Sequence, residues 1–287
     1  MSKNENKQLK RVVIQGGYGA FHEIAAHHYF EPEHIEIIPA NTFKDLFRAL
    51  ESDRADLGIM AIENSLAGSL LPNYQLLQDS NMEVIGEIYL RIKQNLVALP
   101  GVKISELKEV YSHPMAILQC QYFFDQYPEI KLVESIDTAL SAKDIADQKV
   151  NGMGAICSKL AAEKYGLEIL AESIETNKMN YTRFLILTNQ ENYLQLNPLH
   201  NKASLTFILN HQAGSLSKVL TVFSDFGINL TKIQSMPIMG KDWEYQFYID
   251  VTFDDYLTYQ KSLEVIKQLT SKIEVMGEYF KGKTVME

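Results

Sequence analysis

Cysteine is scarce. The 287 residues contain two, Cys120 and Cys157. Two cannot build a disulfide framework, and they lack the close spacing of a metal site, so a reducing cytoplasm is the expected setting. Also missing is any run near the ~20 apolar residues that a membrane helix needs, so no membrane span is expected. The opening MSKNENKQLK has no apolar core; no cleaved secretory signal is expected, and residues 1–10 read as a disordered tail. Positive charge is in deficit, 27 Lys and Arg against 36 Asp and Glu, for a net charge of −9. Nucleic-acid affinity is built largely from Lys/Arg–phosphate contacts. No basic block interrupts the acidic balance, so no nucleic-acid partner is expected. A small anion could still bind, given a local cluster of donors. There is no tandem repeat and no low-complexity segment. What is present is an ordinary globular mixture, 46% hydrophobic and 22% charged, in a length that suits about two domains.

Up to about residue 190, strand-like and helix-like stretches alternate. Arg11 to Gln15 is β-rich and runs into Gly16-Gly17-Tyr18-Gly19, followed by a helical stretch from Ala20 to Tyr29. Phe43 to Glu51 reads as a helix and Leu57 to Ile62 as a strand buried on both faces. Strands are predicted at Glu83–Leu90, Leu96–Leu99, Val110–Ser112, Met153–Ile156 and Phe184–Thr188. Helices are predicted at Met115–Asp125, Ser135–Gln148 and Lys159–Tyr165. The alternation predicts α/β architecture with largely parallel sheets. Residues 191–202 (ENYLQLNPLHNK) read as a linker. The rest reads as strand Ser204–Leu209, helix Ser215–Phe226, strands Asn229–Ile238 and Glu244–Phe253 joined by a turn at Met239–Trp243, helix Tyr256–Ser271 and strand Ile273–Phe280. That order is βαββαβ, the ferredoxin-like arrangement.

Four motifs carry chemistry. The turn Gly16 to Phe21 permits close backbone approach, and the helix behind it offers N–H groups to an anion. It does not match the dinucleotide fingerprint G-x-G-x-x-G, and a tight turn without a ligand explains it equally well. The segment Ile62-Glu63-Asn64-Ser65-Leu66-Ala67-Gly68-Ser69 follows a buried strand, where open α/β sheets bind ligands. Its amide and hydroxyl can donate to a carboxylate or cap the next turn. Ser112-His113-Pro114 opens a helix with proline in its favoured place, and Gln119, seven residues after Ser112, can return to the same side. A Cys120–His113 nucleophilic pair is the alternative there; against it, free cysteine is usually buried. Asn180-Tyr181-Thr182-Arg183-Phe184 enters a strand. Neighbouring strand side chains face opposite ways, so Thr182 and Arg183 would not line one pocket, and a β-former beside a surface charge is the plain alternative.

Taken together and in this order, the motifs resemble those of the prephenate dehydratase family, from about Arg11 to Phe280. The carriers are the glycine-rich turn through Phe21-His22-Glu23, Ile62-Glu63-Asn64-Ser65 with Gly68-Ser69, Ser112-His113-Pro114 with Gln119-Cys120, and Thr182-Arg183-Phe184. The C-terminal module resembles an ACT domain through Gly214-Ser215-Leu216, Gly227 to Ile233 and Trp243 to Tyr248. The family usually has Ser or Thr where His22 stands and Gln where Met115 stands. Its regulatory Glu-Ser-Arg-Pro is here Gln234-Ser235-Met236-Pro237.

The resemblance implies a catalytic domain over 11–190, made of two periplasmic-binding-protein-like α/β subdomains. The chain would cross between them near 89–95 and 175–182. A linker at 191–202 and an ACT regulatory domain at 203–281 would follow. It implies decarboxylating dehydration of prephenate to phenylpyruvate in L-phenylalanine biosynthesis, without cofactor or metal. Thr182 would be catalytic, giving a proton or hydrogen bond to the leaving hydroxyl. Asn64, Ser65, Gly68, Ser69, Ser112, His113, Gln119, Arg183 and Phe184 would bind substrate. Gly214, Ser215, Leu216, Gln234, Ser235, Met236 and Pro237 would bind the effector L-phenylalanine where ACT domains of facing chains meet, in a homodimer or homotetramer. Two other readings stay open. One is an arogenate dehydratase, whose substrate bears an amino-acid side chain in place of the keto acid. The other is a non-catalytic amino-acid-sensing or solute-binding protein, which would not need Thr182, Asn64 and Gln119 together.

Overall fold

The computed structural model describes residues 9–189, 199–210, 212–238, 240–241 and 244–286. Most of the expected tail and linker, and Met239 and Trp243 of the expected turn, lie outside the described residues. The chain divides into two compact units. One comprises the chain up to Leu70, Ile88–Phe184 and the stretch from Thr284 on; the other comprises Leu71–Glu87 and Leu185–Lys283.

In chain order, the first unit begins with β1 (Lys10–Gln15), α1 (Phe21–Phe30), β2 (Ile35–Ala40), α2 (Phe43–Glu51), β3 (Leu57–Asn64) and β4 (Gly68–Ser69). Next come α3 (Leu71–Gln78) and β5 (Met82–Arg91). The chain then builds β6 (Asn95–Ala98), β7 (Glu109–Ser112), α4 (Pro114–Phe124), β8 (Lys131–Glu134), α5 (Thr138–Gln148), β9 (Met153–Cys157), α6 (Lys159–Tyr165) and β10 (Glu168–Ala171). It returns through β11 (Tyr181–Asn189). Among the described residues the first sheet has the order β16-β5-β11-β3-β1-β2, with β4 paired to β3 and β16 formed by Thr284–Val285. The second has the order β10-β6-β9-β7-β8. Two α/β lobes thus share the first unit, and the chain passes between them after Arg91 and again before Tyr181. The sheets are mixed, which corrects the expectation of largely parallel ones. β1 pairs in parallel with β2 and β3, but β6 runs antiparallel to both β9 and β10.

Local sequence explains the helix starts. Thr42, Asp137 and Ser158 each accept a backbone N–H from the first turn of α2, α5 and α6. For α5 this moves the start from the expected Ser135 to Thr138. Val12, Val13 and Ile14 of β1 and Ile59, Met60 and Ile62 of β3 are fully buried, as central strands require.

The second unit is an antiparallel sheet of order β13-β14-β12-β15 with two helices. Its elements are β12 (Lys202–Ile208), α7 (Ser215–Asp225), β13 (Asn229–Pro237), β14 (Tyr245–Thr252), α8 (Tyr256–Lys267) and β15 (Lys272–Tyr279). The expected βαββαβ order is met. Ala203, Leu205, Phe207, Val219, Phe223, Ile249, Val251 and Tyr259 form its core. Residues 71–87 belong to this unit. The Gln78 amide donates to Gln246 Oε1 at 2.6 Å, and Tyr74 meets Tyr248 edge-on at 5.0 Å. The Lys202 ammonium sits on both oxygens of Glu87 at 2.8 Å, and both residues are buried.

Candidate active site

A cavity of about 370 Å³ is lined by residues from both lobes of the first unit. It lies where four helices begin. Ala20, Phe21 and His22 come from the start of α1, Thr42 and Phe43 from α2, His113, Met115 and Ala116 from α4, and Asp137 and Thr138 from α5. Each helix start carries roughly half a positive charge from its aligned peptide dipoles. The lining includes no Lys or Arg, so these helix ends and neutral donors are the positive side of the site.

One hydrogen-bonded chain, running through the buried Asn180, joins three residues of the lining. Asn64 Nδ2 donates to Thr182 Oγ1 at 3.0 Å, to Asn180 Oδ1 at 2.8 Å and to the Tyr181 carbonyl at 3.2 Å. Asn180 Nδ2 donates in turn to Gln119 Oε1 at 2.9 Å. The other end of the Asn64 amide accepts the N–H groups of Leu66 and Ala67 at 3.0 and 2.9 Å. Asn64 therefore shapes its own loop and holds Thr182. Because Thr182 Oγ1 accepts from Asn64, its proton is uncommitted, and among the described residues nothing takes it. The Gln119 Nε2 group is likewise open for donation.

Strand alternation places Thr182 and Phe184 in this lining and Arg183 outside it. Arg183 is neither a cavity residue nor a surface charge. It is 4% exposed, and its guanidinium carbon lies 5.9 Å from the Tyr89 ring centre. Ser112 is fully buried and donates to the Ile156 carbonyl at 2.7 Å, so it supports the site from behind. Ser65 accepts the Tyr181 N–H and donates to the Met179 carbonyl, both at 2.9 Å, which fastens the Asn64 loop to β11. Gly68 and Ser69 form β4 against Asn64 and Glu63. None of these lines the cavity. His113 does, and its Nδ1 accepts the Met115 N–H at 3.2 Å as the cap of α4. Cys120 is buried in the second-lobe core, and burial pushes its thiol pKa up, so it forms no nucleophilic pair with His113.

Four cavity-facing or supporting residues had no role that sequence reasoning assigned: Asn180, His22, Gln94 and Asp137. His22 packs edge-on against Phe43 at 5.6 Å and Phe184 at 4.9 Å. The Ala61 N–H donates to its Nε2 at 3.3 Å. Burial lowers its pKa to about 3, so the ring is neutral and carries its proton on Nδ1. Only the three-dimensional neighbourhood reveals these roles. Among the described residues no three His, Cys, Asp or Glu side chains converge as a metal ion would need.

The prephenate dehydratase family model matches residues 12–192. The chain belongs to that family. It is 36% identical over 286 residues to arogenate dehydratase/prephenate dehydratase 2 of Arabidopsis thaliana, covering 96% of this chain and 74% of the relative. It is similar to a solved prephenate dehydratase from Arthrobacter aurescens in complex with L-Phe, with a TM-score of 0.83 at 26% identity, covering 94% of this chain and 90% of that one. A further solved structure, GqqA, described as a novel type of quorum quenching acylase, aligns with a TM-score of 0.85 at 27% identity, covering 95% and 98%. Among the described residues no helix is long and apolar enough to cross a membrane.

In the second unit a smaller cavity of about 120 Å³ is lined by Leu209, Asn210, Gln212, Ser215, Leu216, Glu244, Tyr245 and Phe247. Gly214 precedes α7 with φ +81°, a conformation that favours glycine. Gln234, Ser235, Met236 and Pro237 lie on the edge strand β13, opposite Tyr248 to Tyr245 of β14, and do not line this cavity.

Proposed function

We propose that this chain catalyses the decarboxylating dehydration of prephenate to phenylpyruvate. The observation that carries the reading is the Thr182 hydroxyl, held by Asn64 with its proton uncommitted, in a cavity ringed by helix starts. The substrate is a dianion whose ring bears a carboxylate and, opposite it, a hydroxyl. The bond from the ring to the carboxylate breaks and its electrons enter the ring. The hydroxyl leaves as water with a proton drawn through the Thr182 hydroxyl and replaced from solvent, and the other products are CO2 and an aromatic ring. Aromatisation supplies the driving force, so a positioned hydrogen bond from Thr182 to the departing oxygen is enough. Gln119 and the helix starts hold the carboxylates in place. An acylase activity, as named for GqqA, would need a nucleophile activated by a base. Among the described residues, the side chain bonded to Thr182 is instead the amide donor Asn64.

The βαββαβ unit is, on this reading, an ACT-type sensor, and L-phenylalanine binds it and lowers turnover. The bound L-Phe in the Arthrobacter relative and the cavity beside Ser215 and Leu216 support this. Paired sensor units would make the enzyme a homodimer or homotetramer working in the cytoplasm. The test is a purified-protein assay following phenylpyruvate, with phenylalanine titrated into it. Absence of turnover with prephenate would remove the substrate assignment, and millimolar phenylalanine without effect would remove the regulatory one.

A further inference from the structure

Resting on the dehydratase reading, we propose that Asp137 accepts the α-ammonium group of an amino-acid side chain, so that this cavity also turns over arogenate and Asp137 sets its preference. Asp137 stands before α5, and one of its oxygens does all the capping. Oδ1 accepts the Leu140 N–H at 2.9 Å and the Gly17 N–H at 3.4 Å. Oδ2 receives no hydrogen bond or ion pair among the described residues. The residue is 9% exposed and lines the cavity, whose lining offers no Lys or Arg to pair with it. That oxygen packs close to Gly16, where a Cβ would stand 2.7 Å from Oδ2, so a glycine is needed beside it.

Capping alone does not call for a charge. In the same unit Thr42 caps α2 and Ser158 caps α6 with neutral hydroxyls, and such residues cap about as well as Asp. A largely buried carboxylate oxygen calls for a hydrogen-bond donor. A ligand ammonium supplies one. His22, in the same cavity, is neutral and offers no cation. Prephenate and arogenate share the ring, both carboxylates and the leaving hydroxyl. They differ at one carbon, which bears a keto oxygen in the first and an ammonium in the second. The keto oxygen only accepts and would face another acceptor. The ammonium donates a charge-assisted hydrogen bond to Oδ2.

The experiment compares steady-state kcat/KM for prephenate and arogenate in the wild type, Asp137→Asn and Asp137→Ser. Both variants keep a capping oxygen, and a thermal melt reports that they fold. In Asp137→Asn the ratio of arogenate to prephenate kcat/KM should fall about ten- to hundredfold, the worth of a hydrogen bond to a charged group. The loss should lie mainly in KM for arogenate, with prephenate turnover rising as the like charge disappears. Asp137→Ser should shift the ratio the same way. A ratio unchanged within about twofold, or an equal loss on both substrates in a folded variant, overturns the proposal and leaves Asp137 as a cap. A wild type that turns over prephenate but not arogenate overturns it as well while sparing the dehydratase reading. Turnover of neither substrate removes both.

Discussion

His22 ties the stability of the first unit to pH in a way that can be isolated. Its ring lies between Phe43 and Phe184, with Nε2 occupied by the Ala61 N–H, and burial lowers its pKa from 6.5 to about 3. In the unfolded chain the same ring titrates near its ordinary value. Between the two values the unfolded state holds a proton that the folded state does not, so stability rises with pH across that window. The contribution is complete above pH ~6.5 and drains away as pH falls towards 3. Each pH unit is worth about 1.4 kcal/mol, on the order of 4–5 kcal/mol in all. Replacing the ring with a neutral amide, His22→Gln, removes this dependence while every other titrating group stays. Urea unfolding of both proteins at pH 7.5, 5.5 and 4.5 reads it directly. Between pH 5.5 and 4.5 the wild type should lose about 1.4 kcal/mol more than the variant. Parallel plots of stability against pH for the two proteins would refute the reasoning, because the buried neutral ring would then have no energetic consequence.

Thr182→Val keeps the shape of the side chain and removes its proton; kcat should fall ~10²–10⁴-fold, as for loss of a positioned acid, with an unchanged melting curve. Asn64→Ala should impair both activity and stability, since one amide holds Thr182 and caps its own loop. A kcat loss should come with about 1–3 kcal/mol in chemical denaturation, and wild-type stability would show that the loop does not depend on it. Lys202→Met should cost about 3–5 kcal/mol by leaving the Glu87 charge buried and unpaired, while Lys202→Met/Glu87→Leu should recover most of that in the same measurement. Cys120→Ser should leave kcat/KM near wild type, and inactivation of a normally folded variant would reinstate the thiol as a nucleophile.

The central strands and most helices were legible in the sequence because their signals are local. Val12 to Ile14 and Leu57 to Ile62 are apolar runs, and Thr42, Pro114 and Ser158 mark helix starts. The strands left unread, β2, β4, β8, β10 and β16, are edges or short spurs. An edge strand buries less, so its apolar pattern is faint; β2 even carries Pro39, which argues against a strand unless it lies at an edge. The site divides in the same way. Thr182, Asn64 and Gln119, singled out through the family resemblance, all line the cavity. Period-two alternation correctly set Arg183 apart from Thr182, although the family resemblance placed both on the substrate. Asn180 gains its role from Gln119, 61 residues away, and no local pattern records such a distance; Asp137 caps α5 locally and also meets Gly17, 120 residues away.

The assignment of residues 71–87 to the C-terminal unit bears on how such a protein can be rebuilt or recombined. A crossover in the segment 190–198 looks like a clean exchange point between the dehydratase domain and the C-terminal unit. It is not one, because α3 and the first part of β5 lie upstream of that point and belong to the second unit. Glu87 has its counter-charge on Lys202, Gln78 bonds to Gln246, and Gly277 has no side chain where the Val84 carbonyl passes. A C-terminal segment transplanted from a relative at that crossover would bring these three partners from a foreign sequence. A chimera that carries 71–87 along with its own C-terminal segment keeps them matched, so the natural unit of exchange is discontinuous in sequence. Loss of activity on simple truncation after Asn189 would therefore report an uncovered helix and a stranded Glu87, rather than a catalytic need for the C-terminal segment.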